Sequence, residues 1–313
     1  MSQIKARYLH FLGNLKGVSM DFDLRQSADG SFSAYNKDFS QCYHSLQCGA
    51  LSESLYKHIL PTFLIQAHKD TYMQSQSQPN NSTMQNNYAP TLTRVPKNFD
   101  DFFKTHLSHI TYTNTKKELA ILDICFGLGY NTFGSIYFYT LLGFPCKLKI
   151  YTPEIDEKML TNLHCFPYPK EFENLAIPEI MHDLLTKQKY NTPNSSIELF
   201  IGEAHSYIKT LPTQSIDIIY HDAFSPKENP SLWNMEFFGD LHTLLQNDGI
   251  LSTYSQSRAI RENALSQGFL VYDCKAKWCN IRAGSLMSKQ NLSNSSLITQ
   301  FYRLKPVYSK TLQ

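Results

Sequence analysis

From Leu119 onward, short apolar runs alternate with amphipathic stretches, a pattern that predicts strands joined by helices in a parallel sheet. Leu119-Ala120-Ile121-Leu122-Asp123-Ile124-Cys125 reads as a buried strand, and 131–142 as the helix that follows it. The same alternation predicts strands at 147–154, 197–201, 216–221 and 249–254, with helices at 156–164, 203–211, 232–246 and 257–266. Residues 269–274 and 299–304 are expected to close a seven-stranded, mostly parallel sheet as a terminal antiparallel hairpin.

The first 48 residues follow a different rhythm. Val18-Ser19-Met20-Asp21-Phe22-Asp23-Leu24 alternates with period two, and Asp29-Gly30 supplies a hairpin turn before 31–35, so 1–48 reads as a small β appendage. Leu51, Leu55 and Ile59 recur at helical spacing over 49–60, with Pro61 as the expected stop. Residues 71–91 are dense in Gln, Asn and Ser and hold little that could be buried, which marks a surface insertion spanning about 66–98. The expected organisation is therefore an appendage (1–48), a helical segment with its insertion (49–118) and an α/β core (119–313).

Composition narrows the class. With 313 residues and 42% apolar side chains the chain can bury a large core. Residues 1–17 contain no apolar run before a small-residue cleavage site, and no later run is long enough to span a bilayer, so a soluble, cytoplasmic protein is expected. The seven cysteines (42, 48, 125, 146, 165, 274 and 279) form no CxxC pair and no Cys/His ligand spacing; free thiols and no metal are expected. Charge is segregated. Lys/Arg against Asp/Glu run 12 to 8 over 1–117, 8 to 17 over 118–257 and 9 to 2 over 258–313. This is either an ordinary solvated surface or a pair of basic flanks for a polyanion such as RNA.

The strand at 119–125 feeds Phe126-Gly127-Leu128-Gly129-Tyr130-Asn131, which opens a helix. Gly127 and Gly129 allow the backbone to approach a ligand, and the helix start offers free N–H groups; tight packing alone also selects such a loop. Thr132 stands where a dinucleotide fingerprint wants its third glycine, which argues against pyrophosphate. Glu154 ends the second strand, where a carboxylate can accept both ribose hydroxyls; Asp156 competes for that role, and an exposed strand-end charge is the plain alternative. Glu203-Ala204 ends the third strand beside the expected adenine position, although a carboxylate there also suits a helix N-terminus. Asp123 is either buried against loop amides or within reach of the cofactor's amino group. Three strand ends in register point to an adenosyl site, and the strand pattern fits a class I Rossmann-like methyltransferase better than a dinucleotide fold.

The fourth strand ends in His221-Asp222-Ala223-Phe224-Ser225-Pro226-Lys227-Glu228-Asn229-Pro230, followed by Trp233. Asp222 falls where a transferred methyl would meet its acceptor and is the candidate catalytic residue, against a structural reading as the cap of a proline-stiffened turn. Neighbouring strand residues point to opposite faces, so His221 and Asp222 are not expected to act as one metal or triad unit.

Tyr43-His44-Ser45, Gly49-Ala50-Leu51 and Glu53, with the loop 126–131, Asp222-Ala223-Phe224-Ser225-Pro226-Lys227, Asn229-Pro230 and Trp233, resemble the methyltransferase domain of bacterial MnmC-type enzymes. Thr253-Tyr254-Ser255, Arg261 and Gly268-Phe269 extend the resemblance, which covers roughly 35–290 apart from the insertion. Asn280-Ile281-Arg282-Ala283-Gly284-Ser285-Leu286-Met287 departs from the family's glycine-rich basic run. The resemblance implies S-adenosyl-L-methionine as cofactor, held by Phe126, Gly127, Gly129, Asn131, Glu154, Glu203, Ala204 and Asp222. It implies a tRNA anticodon stem-loop as partner, met by Tyr43, Phe224, Pro226, Lys227, Trp233, Arg258 and Arg261. The implied reaction is N-methylation of 5-aminomethyl(-2-thio)uridine at the wobble position. The chain reaches Gln313 without a second dinucleotide loop, so the resemblance is to a stand-alone version lacking the flavin oxidase. A polyamine aminopropyltransferase on the same core, and an RNA-binding protein without turnover, are the rival readings.

Overall fold

The computed structural model describes residues 23–67, 99–108, 110, 112, 114–292 and 295–309. The alternating run up to Phe22 and the insertion at 71–91 lie outside them. The N-terminal part forms a three-stranded antiparallel sheet of β1 (Asp23–Gln26), β2 (Phe32–Asn36) and β3 (Gln41–Cys42). The helical segment that follows comprises α1 (Ala50–Glu53), a π-helical turn (Ser54–Ile59), α2 (Leu60–Gln66) and α3 (Phe99–Leu107). The core runs β4 (Glu118–Ile124), α4 (Tyr130–Leu141), β5 (Lys147–Glu154), α5 (Glu157–Asn162), α6 (Ile177–Lys187), β6 (Lys189–Asn191), β7 (Ser195–Ile201), α7 (Ala204–Ile208) and β8 (Ile216–His221). It continues through α8 (Met235–Leu244), β9 (Leu245–Thr253), α9 (Arg258–Ser266), β10 (Leu270–Ala276), β11 (Gly284–Ser288), α10 (Ser296–Phe301) and β12 (Tyr302–Val307).

The core sheet has nine strands in the order β12-β10-β11-β9-β8-β4-β5-β7-β6. The central strands are parallel, as their near-continuous apolar character requires when both faces are covered by helices. In β4 the period of two sends Leu119 and Ile121 into one apolar layer and Leu122 and Ile124 into the other. Asp123, on the Ile121 face, therefore points toward α4. This is a Rossmann-like α/β fold with additions at both edges.

Two expectations change. The expected antiparallel pairing of 269–274 with 299–304 is present as β10 with β12 at the sheet edge, but the sheet has nine strands where seven were expected. Residues 284–288, read only as a departure from a glycine-rich run, form β11, which inserts antiparallel between β9 and β10. The second half of the expected strand at 299–304 begins β12, an extra edge paired with β10, whereas 299–301 belong to α10. β11 is buried along its whole length, so its sequence carries no polar alternation to announce it.

Nor does Pro61 end a helix. The chain widens into the π turn, where the Leu60 N–H bonds back to Leu55, and a fresh helical segment starts with Pro61 in its first turn. A proline there has no N–H to lose and does not strike the preceding turn.

The N-terminal sheet is fastened to this segment by its turn. Ser27 and Ser31 hydroxyls accept from the Ala50 N–H, Ser31 also from Leu51, and the Asp29 carboxylate accepts from Ser52 at 2.9 Å. These side chains satisfy the free donors of α1, which has no cap of its own. Gly49, at φ +96°, leaves the room: a Cβ there would overlap the Asp29 carboxylate at 2.1 Å.

Candidate functional site

Between β4 and α4 the chain turns through three residues of positive φ: Cys125 at +67°, Gly127 at +54° and Gly129 at +76°. The turn exposes backbone to the cleft at the carboxyl ends of the strands, and a Cβ on Gly129 would strike the Phe133 ring at 2.5 Å. The cleft is lined by Phe39, Tyr43 and His44 from the N-terminal segment and by Phe126, Gly127 and Asn131 from the turn. Glu154, Ile155, Asp222, Phe224 and Asn229 complete its other wall.

Three buried carboxylates converge here. Glu154 accepts from the Gly127 N–H at 2.8 Å and from Ile155 and Asp156 at 2.9 Å each. Burial raises its pKa, and those three amides act against the rise. Asp123 is fully buried and accepts from Thr132 Oγ1 at 2.8 Å and Asn131 Nδ2 at 3.3 Å. Burial pushes its carboxyl up to about 8 despite these donors. Asp222 accepts from Asn131 Nδ2 at 2.9 Å, with His58 Nε2 at 3.7 Å and His44 Nδ1 at 4.0 Å. Burial works to raise its pKa too, but His58, His44 and the Asn131 donor outweigh it and hold it at about 2. The Asn131 amide thus bridges Asp123 and Asp222.

The N-terminal segment closes one side of the cleft. Phe39 stacks on Phe224 at 4.9 Å between ring centroids, and Tyr43 lies 5.0 Å from the same ring. Gln41 exchanges hydrogen bonds with Ser225, and Tyr43 and Asn36 both donate to Asp156. The segment expected as an appendage therefore builds one wall of the site.

Of the expected site residues, Phe126, Gly127, Asn131, Glu154, Asp222, Tyr43 and Phe224 are brought together around the cleft, with Gly129 beneath them at the start of α4. Others lie elsewhere. Glu203 is exposed at the start of α7 and Ala204 is buried behind it; neither lines the cleft, although the Gly202 N–H donates to the Glu154 carbonyl. Pro226 and Lys227 are exposed on the rim, Lys227 beside Glu228. Trp233 is 2% exposed, packs on His221 and donates its indole N–H to the Phe224 carbonyl, so it shapes the loop from behind. Arg258 is engaged by Glu262, and Arg261 is locked by Asp273 and Ser285 between α9 and the sheet, because a half-buried guanidinium needs its charge and donors matched.

His221 points away from Asp222, as strand alternation requires, and donates its Nε2–H to the Leu232 carbonyl in the opposite apolar layer. Burial lowers its pKa to about 4, leaving it neutral. Among the described residues no group of three or more His, Cys, Asp or Glu side chains could hold a metal ion. Sequence reasoning missed Phe39, Cys125, Ile155 and Asn229 as cleft residues and gave no role to His44 and His58; only their convergence from distant segments marks them.

Residues 170–277 match a family described as S-adenosyl-L-methionine-dependent methyltransferase. The bifunctional protein MnmC of Campylobacter fetus, named for tRNA 5-methylaminomethyl-2-thiouridine biosynthesis, is 24% identical over 201 residues, 58% of this chain and 32% of that protein. The chain is thus similar to the MnmC-type S-adenosyl-L-methionine-dependent methyltransferases. An uncharacterized protein of Methanocaldococcus jannaschii is 25% identical over 153 residues, 48% of this chain and 41% of that one. The chain thus spans less than half the length of these curated relatives. The crystal structure of MnmC2 from Aquifex aeolicus superposes with a TM-score of 0.63, at 22% identity, over 92% of this chain and 85% of that one.

The site of this methyltransferase suits its cofactor chemically. S-adenosylmethionine carries a sulfonium and an ammonium, and the cleft carboxylates Glu154 and Asp222 with the open glycine turn offer a complement to those charges. The Asn131 Oδ1 atom, buried and without a hydrogen-bond partner in the structure, is a free acceptor beside them. Among the described residues no helix is long and apolar enough to cross a membrane.

Proposed function

We propose that this methyltransferase methylates the primary amine of 5-aminomethyl(-2-thio)uridine at the wobble position of tRNA, in the cytoplasm, to give the 5-methylaminomethyl nucleoside. The observation that carries the reading is Asp222: a buried carboxylate held ionised at about 2, beside the aromatic group Phe39, Tyr43 and Phe224. A charged carboxylate holds an ammonium, and flat aromatic side chains accept an extruded base, so the pair matches a base bearing an aminomethyl arm. The names of the MnmC relatives agree with this acceptor.

In this reading the turn 126–131 holds the methionine portion of the cofactor, Glu154 accepts from its ribose, and Asp222 orients the acceptor amine. The tRNA backbone lies along the rim that carries Lys227 and Arg282. Arg282 is tied through Gln256 to the segment following Tyr254, whose hydroxyl donates to the Ala223 carbonyl next to Asp222. Lys275 and Arg303 are cross-strand partners on β10 and β12, with Lys305 exposed nearby, and extend the basic rim.

The test is incubation of the purified chain with labelled S-adenosylmethionine and tRNA from cells lacking this gene, followed by nucleoside mass spectrometry. Conversion of 5-aminomethyl to 5-methylaminomethyl uridine supports the reading. Label confined to another nucleoside, or none in tRNA, overturns it.

A further inference from the structure

The amine proposed as acceptor is protonated in neutral water, and an ammonium has no lone pair with which to attack a methyl group. Something must take its proton. Asp222 is unsuited, since a carboxylate that faces His58 and accepts from the Asn131 amide is a weaker base than an imidazole and serves as the anion that holds the ammonium. The neighbouring acids Glu53 and Glu154 are committed: Glu53 accepts from the Ser45 N–H at 2.9 Å and from Lys57 at 2.6 Å, and Glu154 from three amides.

His44 stands differently. It lines the cleft, is 8% exposed, and its Nδ1 is buried without a hydrogen-bond partner. That nitrogen lies 4.0 Å from Asp222 Oδ2 and 3.9 Å from Glu53 Oε2, too far for a hydrogen bond to either. The gap matches an intervening donor. A nitrogen at about 2.9 Å from both Nδ1 and Asp222 Oδ2 would subtend roughly 90°, within the reach of two N–H bonds of one ammonium. The backbone fixes the ring: the His44 N–H donates to Ser33 Oγ at 3.0 Å, and the ring meets Tyr130 edge-on at 5.1 Å. The titratable groups around it are Glu53 from α1, Lys57 behind Glu53, Tyr130 from α4, Asp222 after β8, and His58 on the far side of Asp222.

We propose that His44 is the general base of this methyltransferase, taking the proton of the substrate ammonium while Asp222 holds that nitrogen in place. The inference rests on the amine-acceptor reading above. The ammonium N–H bond breaks, its proton goes to His44 Nδ1, and the freed lone pair forms the N–C bond to the methyl carbon. The C–S bond breaks with its electron pair left on sulfur, giving the neutral thioether S-adenosylhomocysteine and a protonated secondary amine, and His44 returns its proton to solvent. His58, fully buried with Nδ1 at 3.0 Å from Ser252 Oγ, is a positioning residue that keeps Asp222 ionised.

The experiment compares wild type, His44→Ala, His44→Gln and His58→Asn on aminomethyl-containing tRNA across pH, with and without added imidazole. S-adenosylmethionine affinity is measured by calorimetry, and histidine ring NMR is recorded for each protein. His44→Ala is expected to lose about 100-fold in kcat near neutrality while cofactor affinity stays within twofold. Its rate should rise about tenfold per pH unit, because only the spontaneously deprotonated amine now reacts, and imidazole should restore part of the loss. In wild type, the ring signal missing from His44→Ala should titrate with the same midpoint as the acid limb of the activity profile. An active wild type whose His44→Ala variant keeps its pH profile and ignores imidazole overturns the role of His44, as does transfer of those signatures to His58→Asn. A wild type that leaves aminomethyluridine untouched overturns the acceptor reading itself, and with it this inference.

Discussion

Two neighbouring strand ends carry an aspartate each, and the environment treats them oppositely. β4 and β8 pair in parallel with Ile124 beside His221, so Asp123 and Asp222 lie on the same side of the sheet and share the Asn131 amide. Both are buried, yet Asp123 is pushed up to about 8 and Asp222 is held at about 2. Burial is the largest influence on each and has the same sign in both; the difference comes from partners. Asp123 meets only neutral donors, whereas Asp222 has two imidazoles within 4.0 Å. A buried carboxylate is thus kept charged by what faces it, and position on the sheet alone does not choose between a proton store and an anionic anchor.

The comparison breaks most visibly at Asp222. Asp222→Asn preserves shape and some hydrogen bonding but removes the charge that holds an ammonium. Turnover is expected to fall on the order of 10²-fold or more, with cofactor affinity retained. Methyl transfer and thermal unfolding measured on one preparation decide it: near-normal turnover in a less stable protein would make Asp222 a turn cap.

Next in size is Glu154, the third carboxylate of the cleft. Glu154→Ala should weaken S-adenosylmethionine binding by about 1–3 kcal/mol, the cost of leaving buried polar partners unmatched. An unchanged calorimetric affinity rules out its place on the ribose.

Asp123 and Asp222 also predict opposite pH dependences of stability. Since Asp123 has a folded pKa above that of the unfolded chain, its contribution is fully present below about pH 3.9 and is lost as pH rises through about 8. Asp222, depressed in the fold, contributes above about pH 3.9 and loses that contribution as pH falls through about 2. Asp123→Asn should therefore flatten the decline of Tm between about pH 5 and 8.5 by a few degrees, measured by calorimetry. An unchanged slope would show that another group carries the titration.

The smallest effect is expected far from both aspartates, on the basic rim. Replacing Lys275, Arg282, Arg303 and Lys305 with Gln should raise the apparent KM for tRNA several-fold and flatten its salt dependence by roughly one unit per lost phosphate contact. A Kd for tRNA that does not vary with salt in the wild type removes the rim from the interface. Arg258 and Arg261 are left out because Glu262 and Asp273 already engage them.

The N-terminal sheet shows where local pattern stops informing. Its hairpin turn at Asp29-Gly30 is legible because a tight turn is a property of adjacent residues. That the turn before β3 and the residues after it would carry Phe39, Tyr43 and His44 over a cleft built 80 or more residues later depends on contacts such as Gln41 with Ser225. The run through Pro61 misleads for a related reason: proline ends an α-helix, but a π turn just before it restarts the helix and aims His58 at Asp222.

Sequence by itself determined the alternating core, the glycine turn after β4, Glu154 at the end of β5 and Asp222 after β8. Each is a local feature: strand period, backbone freedom and position at a strand end are written in consecutive residues. Tertiary structure alone decided that β11 slots between β9 and β10, that Trp233 and Arg261 serve the fold, and that His44 and His58 flank Asp222. Charge state at the site belongs with the second group, because the field at a buried carboxylate is set by groups a few ångströms away in space that lie, for His58 and Asp222, more than 160 positions apart in the chain.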